Sequence, residues 1–183
     1  MTDTQTAVQR RPDSLLGVVP SIAAGVAAIG MALYQVLTPG EPTASYDSAL
    51  DFLREGLFLL YLVASIAAMF LARRQGVLPG IGAWLVGVGY GLLTIGVGAG
   101  LVMLKDPDWF GVLGIPGNLL AMAGFVTAAI MAWRARSVPG WATLLLAVGG
   151  FFAVLAAEFG TGVLIGCFWL WAAWVTPRPA RES

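Results

Sequence analysis

Long apolar runs separated by short polar connections dominate this chain. A membrane-spanning helix needs about 20 mainly apolar residues, because the hydrocarbon layer is about 30 Å thick and a helix rises about 1.5 Å per residue. Five runs meet this requirement, and the last, 139–176, is too long for one helix at ordinary tilt. Glu158-Phe-Gly-Thr-Gly162 in its middle combines a charge with two glycines, which are typical of a turn. The last run therefore divides into two short spans.

The pattern predicts an all-α polytopic membrane protein, a six-transmembrane-helix bundle over residues 15–176. Polar tails, 1–14 and 177–183, flank the bundle. The first apolar run follows Arg10 and Arg11 but is longer than the apolar region of a signal peptide, about 7–15 residues, so we interpret it as a span. The predicted spans are about 18–37, 52–72, 79–104, 112–133, 139–157 and 160–176.

Basic residues fall mainly on one side of the predicted bundle. With a cytoplasmic N-terminus, only Arg54 and Lys105 lie on the outer side, together with most of the acidic residues. The positive-inside rule then predicts cytoplasmic N- and C-termini, which requires an even number of spans. Abundant Ala, Gly and Arg with little Lys favour a bacterial cytoplasmic (inner) membrane. The cytoplasmic bases are Arg10, Arg11, Arg73, Arg74, Arg134, Arg136, Arg178 and Arg181.

The composition excludes several functional classes. The chain is 58% hydrophobic and 11% charged with a mean hydropathy of +0.84, whereas soluble domains carry about 25% charged residues. Its formal net charge is zero, so we expect no nucleic-acid partner. The absence of histidine removes the commonest metal ligand and the usual catalytic triads. No metalloprotease, nucleophile-elbow or P-loop motif is present, and we expect no metal and no cofactor.

Local sequence predicts where two helices begin. Ser48-Ala-Leu-Asp51 fits a capping box that opens the second span. Asp106 before Pro107 fits a cap at the start of the fourth span. Four tryptophans are expected near the membrane faces, where amphipathic rings are enriched: Trp109, Trp133, Trp141 and Trp174.

Small residues predict how the helices pack, because close backbone approach drives much of helix association in lipid. In the third span one face carries the main predicted seam, and a second glycine stripe lies elsewhere around the helix. Packing within one chain is the main interpretation, and a homodimer through Gly87 and Gly91 is the alternative. The main seam is Gly80, Ala83, Gly87, Gly91, Thr94 and Gly98; the second stripe is Gly82, Gly89 and Gly96; the fourth span offers Gly117, Ala121, Gly124 and Ala128, and the first Ala24, Ala28 and Ala32.

Two self-alignments suggest three tandem αα-hairpin repeats. Residues 17–30 match 76–89 at six of fourteen positions. At almost the same period, Leu78-Pro79-Gly80 aligns with Val138-Pro139-Gly140. Each copy follows a cytoplasmic arginine pair and opens an odd-numbered span. The alternative is chance similarity, because a chain rich in Gly, Ala, Val and Leu often matches itself.

The candidate ligand-binding residues lie toward the outer face. Ionisable groups within a membrane are costly and therefore functional candidates. Glu55 lies about one turn into the second span, Glu158 lies at the last turn, and Asn118 follows a proline in the fourth span. Arg54 and Tyr34 fall at similar depth. For each residue, helix capping, local pairing or solvation is the structural alternative.

These features predict a non-enzymatic integral membrane protein. We expect it to bind a partner membrane protein, or a small ligand or lipid in an outward-facing polar pocket. The first alternative is a small transporter or channel with an entry site at Glu55, Asn118 and Glu158, although no charged residue lies at the predicted midplane. An intramembrane enzyme using the Glu55 and Glu158 carboxylates is a third hypothesis. The lipid bilayer and a second copy of the chain are further expected partners.

Overall fold

The computed structural model describes residues 14–37, 46, 48–155 and 160–175. Within these residues the chain forms six α-helices and no strand, which confirms the predicted all-α fold. Helices α1 to α4 are long and apolar enough to cross a membrane, whereas α5 and α6 are shorter, with 16 and 14 residues. The helices are α1 Ser14–Leu37, α2 Ala49–Arg74, α3 Gly82–Met103, α4 Phe110–Ala135, α5 Gly140–Leu155 and α6 Gly162–Val175.

The six helices form a closed ring. Each helix packs against the next along the chain, and α6 packs against α1. At one end, which we call the arginine end, the α2–α3 turn (75–81) meets the α4–α5 turn (136–139), and Ser137 Oγ donates to Val77 O over 2.8 Å. At the opposite, acidic end, Tyr46 N donates to Leu104 O in the α3–α4 connection (104–109) over 3.0 Å. Neighbouring helices in the ring therefore run antiparallel.

Aromatic side chains from four helices occupy the interior of the ring. Tyr61, Tyr90, Phe125 and Trp169 are buried and belong to one hydrophobic cluster to which all six helices contribute. The Tyr90 ring makes edge-to-face contacts with Tyr61 and with Phe125, each at a centroid distance of 5.6 Å. Pairs of this geometry stabilise a core beyond the burial of their area. Among the described residues, the middle of the ring is a packed core.

Glycines allow α3 and α4 to pack with their backbones in contact. A Cβ atom at Gly89 would lie 2.5 Å from Gly117 O and 2.6 Å from Ala121 N, and one at Gly124 would lie 2.6 Å from Val86 N. Gly82 meets the α4 backbone at Ala128 in the same way. The second glycine stripe is therefore the tight seam of α3, and the residues predicted for the fourth span supply its partner surface.

The main seam predicted for α3 is wrong in its outer half. Gly87 lies against the Phe70 ring of α2, but a Cβ atom at Gly91 or Gly98 would have nothing within 4 Å. In contrast, the alanine face predicted for α1 packs as expected, because Gly162 of α6 lies against Ala28 O and Ala32 Cβ. Both stripes of α3 consist of small residues, and their different neighbours decide which one packs closely.

The two predicted helix starts have opposite outcomes. The capping box at the start of α2 is confirmed: Ser48 Oγ accepts from Asp51 N, and Asp51 Oδ2 accepts from Ser48 N over 3.0 Å. The predicted cap at Asp106 is wrong, because α4 begins at Phe110, its N-cap residue is Trp109, and no side chain caps it. Asp106 instead accepts a hydrogen bond from Tyr46, which is a long-range contact that local sequence does not reveal.

The two turns at the arginine end begin with the same structure, 60 residues apart, although α3 starts two residues later in this period than α5. Each one closes with the same two backbone hydrogen bonds and has a residue in the left-handed region, Gly76 at φ 74° and Arg136 at φ 51°. Leu78 and Val138, two residues after these positions, are both buried. The equivalent bonds are Val77 N to Ala72 O and Ser137 N to Ala132 O, and Gly76 N to Arg73 O and Arg136 N to Trp133 O.

Candidate functional site

A partly buried ion pair marks the acidic end of α2. Arg54 Nε donates to Glu55 Oε1 over 3.0 Å, and Arg54 Nη2 lies 2.9 Å from the same oxygen. The two side chains are only 22% and 12% exposed. No described residue donates a hydrogen bond to the second carboxylate oxygen, Glu55 Oε2. Arg54 therefore neutralises Glu55 through Oε1, while Oε2 receives no hydrogen bond from a described residue.

Tyr46 ties the α1–α2 connection to the α3–α4 connection beside this pair. Its side chain is buried, its hydroxyl donates to Asp106 Oδ1 over 2.6 Å, and its backbone N donates to Leu104 O. Burial raises the pKa of the Tyr46 hydroxyl well above its usual range, and the hydrogen bond to Asp106 and the nearby Glu55 carboxylate raise it further. Tyr46 therefore keeps its proton and acts as a permanent donor.

The acidic end has an excess of negative charge around the ion pair. Glu55 lies within electrostatic range of Asp51, Arg54 and Asp106. Three carboxylates and one guanidinium give this group, the acidic-end cluster of Tyr46, Asp51, Arg54, Glu55 and Asp106, a formal charge of −2. Asp51 serves the α2 capping box and Asp106 accepts from Tyr46. An electron-poor or cationic group is the guest that this charge favours.

Tyr46→Phe is expected to destabilise the protein by about 1.5–3 kcal/mol at neutral pH, because it removes a hydrogen bond to a charged acceptor. Folded Tyr46 keeps its proton above pH 10, where tyrosine in an unfolded chain ionises. Its contribution is therefore complete below about pH 10 and is lost as the pH rises through the raised pKa. The variant should lose less stability than wild type between pH 9 and 11. Thermal unfolding in detergent at several pH values measures both effects, and parallel profiles would contradict this role.

The structure places the other predicted site residues as follows. Tyr34 lies half-buried near the C-terminal end of α1, which is at the acidic end. Asn118 lies half-buried in α4, two residues after Pro116, and no hydrogen bond between described residues joins it to Glu55. Glu158 lies outside the described residues. Of the predicted set, the structure brings Arg54 and Glu55 together, and convergence of Glu55, Asn118 and Glu158 stays a prediction.

A second polar group, in the interior, was not predicted. The Tyr61 and Tyr90 hydroxyls share a hydrogen bond of 2.7 Å. The Ser65 hydroxyl lies near Tyr61 one turn away but makes no hydrogen bond of good geometry, and buried Trp169 Nε1 has no acceptor among the described residues. Unpaired buried polar atoms cost stability. The sequence places both tyrosines near the middle of predicted spans. However, the residue spacing within one helix does not show which residue of another helix it contacts.

No group of His, Cys, Asp and Glu in the described parts of the chain is arranged to hold a metal ion. The polar groups of the described residues can accept and donate hydrogen bonds and can attract a cation. Comparison with known proteins adds no further candidate: the chain matches no protein-family model, no curated protein and no solved structure.

Proposed function

We propose that this chain is a six-span protein of a bacterial cytoplasmic membrane that acts by binding. Its acidic end faces outward, and its acidic-end cluster recognises the cationic group of a small ligand or of a lipid headgroup. The observation that carries the proposal is the Arg54–Glu55 ion pair, which is partly buried on a helix with no other charged residue between Asp51 and Arg73. Ionic groups in such a setting are costly and are commonly retained for function.

The outer surface of the ring supports membrane placement. Large apolar side chains recur at intervals of seven residues along one face of α3: Ile81, Val88, Ile95 and Val102, all exposed. Soluble monomers rarely expose contiguous apolar surface of this kind. The four tryptophans expected at the membrane faces are also exposed: Trp109, Trp133, Trp141 and Trp174.

Six spans require that the two short helices also cross the membrane. At about 1.5 Å per residue, α5 and α6 measure about 24 and 21 Å. A hydrophobic length below the hydrocarbon thickness is accommodated by local thinning of the bilayer and by snorkelling of flanking side chains. The arginine distribution supports the same count, because an odd number of spans would move Arg178 and Arg181 to the outer side.

We infer an internal period of 60 residues that relates a first unit, α2 and α3, to a second unit, α4 and α5. The matching turns support it, and so does a size exchange in the core. Ser65 of α2 and Tyr90 of α3 in the first unit correspond to Phe125 of α4 and Gly150 of α5 in the second, where Gly150 lies against the Phe125 ring. The exchange roughly conserves the side-chain volume at these two positions between the units.

The ligand class follows from charge and hydrogen-bonding capacity. The cluster carries a formal charge of −2, and no described residue donates a hydrogen bond to Glu55 Oε2. An ammonium group satisfies both conditions. Arg54 orients the Glu55 side chain through Oε1. A cationic ligand would then bind to Oε2. A partner membrane protein that presents a lysine or arginine at the same position is the remaining form of the binding hypothesis.

The packed interior favours binding over transport. Tyr61, Tyr90, Phe125 and Trp169 occupy the position where a central pathway would run. A transporter with this structure would need these rings to move apart in every cycle. Flux of ethanolamine into proteoliposomes that is lost in Glu55→Gln would favour the transport alternative.

The binding test compares two carboxylates at the same end. Calorimetric titration of the purified chain with ethanolamine is expected to show binding that Glu55→Gln weakens at least tenfold, since a charged contact is lost. Choline is expected to bind more weakly than ethanolamine, because its quaternary ammonium has no N–H to donate. Asp108→Asn removes an exposed charge of the α3–α4 connection and is expected to change the affinity by less than about twofold. Equal affinity in wild type and Glu55→Gln, or no binding of either amine, would contradict the proposal.

A further inference from the structure

A groove opens between α4 and α5 on the outer surface of the ring, in the half near the arginine end. Its volume is about 370 Å³, within the range of about 300–1,000 Å³ typical of small-molecule sites. Its rim is exposed: Ile130 at 45%, Leu144 at 63% and Trp133 at 68%. Small residues form its floor, and its polar hydroxyl, Thr143 Oγ1, already donates to Pro139 O. The lining is Ala129, Ile130, Trp133, Gly140, Thr143, Leu144 and Ala147.

The equivalent surface of the first unit is filled by the protein's own side chains. Sixty residues earlier, Phe70 stands in place of Ile130 and Trp84 in place of Leu144. The two rings stack edge to face at 4.9 Å, and Phe70 covers Gly87. The turns of the two units begin with the same geometry, and Ile130 and Leu144 are smaller than Phe70 and Trp84. The smaller side chains leave the second groove open. In the first unit, two apolar rings cover this surface.

The first unit also places a cation over that filling. Arg73 lies 5.8 Å above the Trp84 ring and donates to Gly80 O over 3.2 Å. In the second unit Trp133 occupies the place of Arg73, and Arg134 and Arg136 follow it in an exposed stretch without acidic residues. Neither arginine makes an ion pair with a described residue. Arg134 directly follows the rim residue Trp133, and Arg136 ends α4, so the stretch next to the rim carries two cations without an ion-pair partner among the described residues.

Arg136 is held in a backbone conformation that disfavours its side chain. Its φ is +51°, where the equivalent turn of the first unit uses Gly76. Side chains with a Cβ atom are strained in this region, and glycine is the ordinary choice. Leu104 ends α3 in the same conformation, at φ 58°, so the conformation ends the helix, and the arginine side chain adds a positive charge at the arginine end of α4.

We propose that this groove binds one acyl chain of an anionic phospholipid of the cytoplasmic leaflet, whose headgroup phosphate pairs with Arg134 and Arg136. Basic pockets between spanning helices on the cytoplasmic side bind such headgroups. The proposal rests on the six-span placement proposed above but not on the acidic-end cluster, which lies at the opposite end of the ring. A negative binding result at one end therefore does not contradict the proposal for the other end.

The test uses nanodiscs that contain equal amounts of phosphatidylglycerol and phosphatidylcholine. Native mass spectrometry of the released full-length chain is expected to show roughly tenfold preferential retention of phosphatidylglycerol, from two arginines near the surface. Ile130→Phe with Leu144→Trp fills the groove with the residues of the first unit and should abolish retention. Leu144→Trp alone, at an exposed position, should reduce it and guards against misfolding of the double variant.

Two matched variants separate lipid binding from nonspecific effects. Phe70→Ile with Trp84→Leu opens the first groove and should leave retention by the second unchanged or add a second lipid. Arg136→Gly should lower the preference for phosphatidylglycerol while raising the thermal midpoint in lipid-free detergent, because it relieves the strained φ. Equal retention of both lipids by wild type, undiminished retention by the filled variants, or a second copy of the chain in place of lipid would overturn the proposal.

Discussion

Gly89→Ala is expected to lower the free energy of unfolding by about 1–3 kcal/mol or more, because it overpacks the seam between α3 and α4. Its Cβ atom would lie 2.5 Å from Gly117 O and 2.6 Å from Ala121 N, which are backbone atoms that cannot rotate away. The two helices must therefore move apart. Denaturant or thermal unfolding in detergent, followed by circular dichroism, measures the loss.

Gly91→Ala, half a turn away on the same helix, is the matched control. A Cβ atom there would meet nothing within 4 Å. Alanine also favours the helix over glycine, so this variant is expected to gain about 0.5–1 kcal/mol. Opposite signs at Gly89 and Gly91 would locate the packed face of α3. Similar losses at both positions would instead mean that the predicted outer seam is also packed, as a homodimer through Gly87 and Gly91 requires.

Phe125→Ser is expected to cost about 3–5 kcal/mol, the range for removing a large buried aromatic side chain. Phe125 is fully buried against Tyr90 and Gly150. Gly150→Tyr alone should also destabilise strongly, because its Cβ atom would overlap the Phe125 ring. Combined, the two changes place serine and tyrosine at the positions of the second unit that correspond to Ser65 and Tyr90 of the first.

The double variant should recover at least 1 kcal/mol of the summed losses, since coupling energies between contacting residues are about 0.5–3 kcal/mol. The same unfolding measurement on all four proteins gives this coupling. Additive losses in the double variant would show that the core positions of the two units are not interchangeable. The 60-residue period would then lack support from the core.

Helix positions were predictable because span length is set by the thickness of the membrane and apolar runs are easy to delimit. The capping box at Ser48 was predictable for a similar reason, since all its atoms lie within four residues. The seam of α3 was not, because two stripes of small residues run along the helix. Their environments differ only through α2 and α4, and the period of one helix contains no information about its neighbours.

The candidate site was predictable only in its local part. Arg54 and Glu55 are adjacent in sequence, and their position near a span boundary was sufficient to select them. Tyr46 was missed because it lies in a connection, and its partner Asp106 is 60 residues away. Asp106 was in turn assigned to a helix cap, since an acid before proline is typical of one. The open groove was also not predictable, because it arises from a comparison of side-chain volumes between two units.

Substituted-cysteine labelling tests the central claim, a ring that crosses the membrane six times with its acidic end outward. Cys167→Ser removes the native thiol, which is exposed, and single cysteines then replace Lys105, Thr161 or Ser137. In right-side-out vesicles, a membrane-impermeant maleimide should label the Lys105→Cys and Thr161→Cys variants at once. It should label Ser137→Cys only after permeabilisation. Immediate labelling of Ser137→Cys, or protection of Thr161→Cys while Lys105→Cys reacts, would contradict six spans with this orientation.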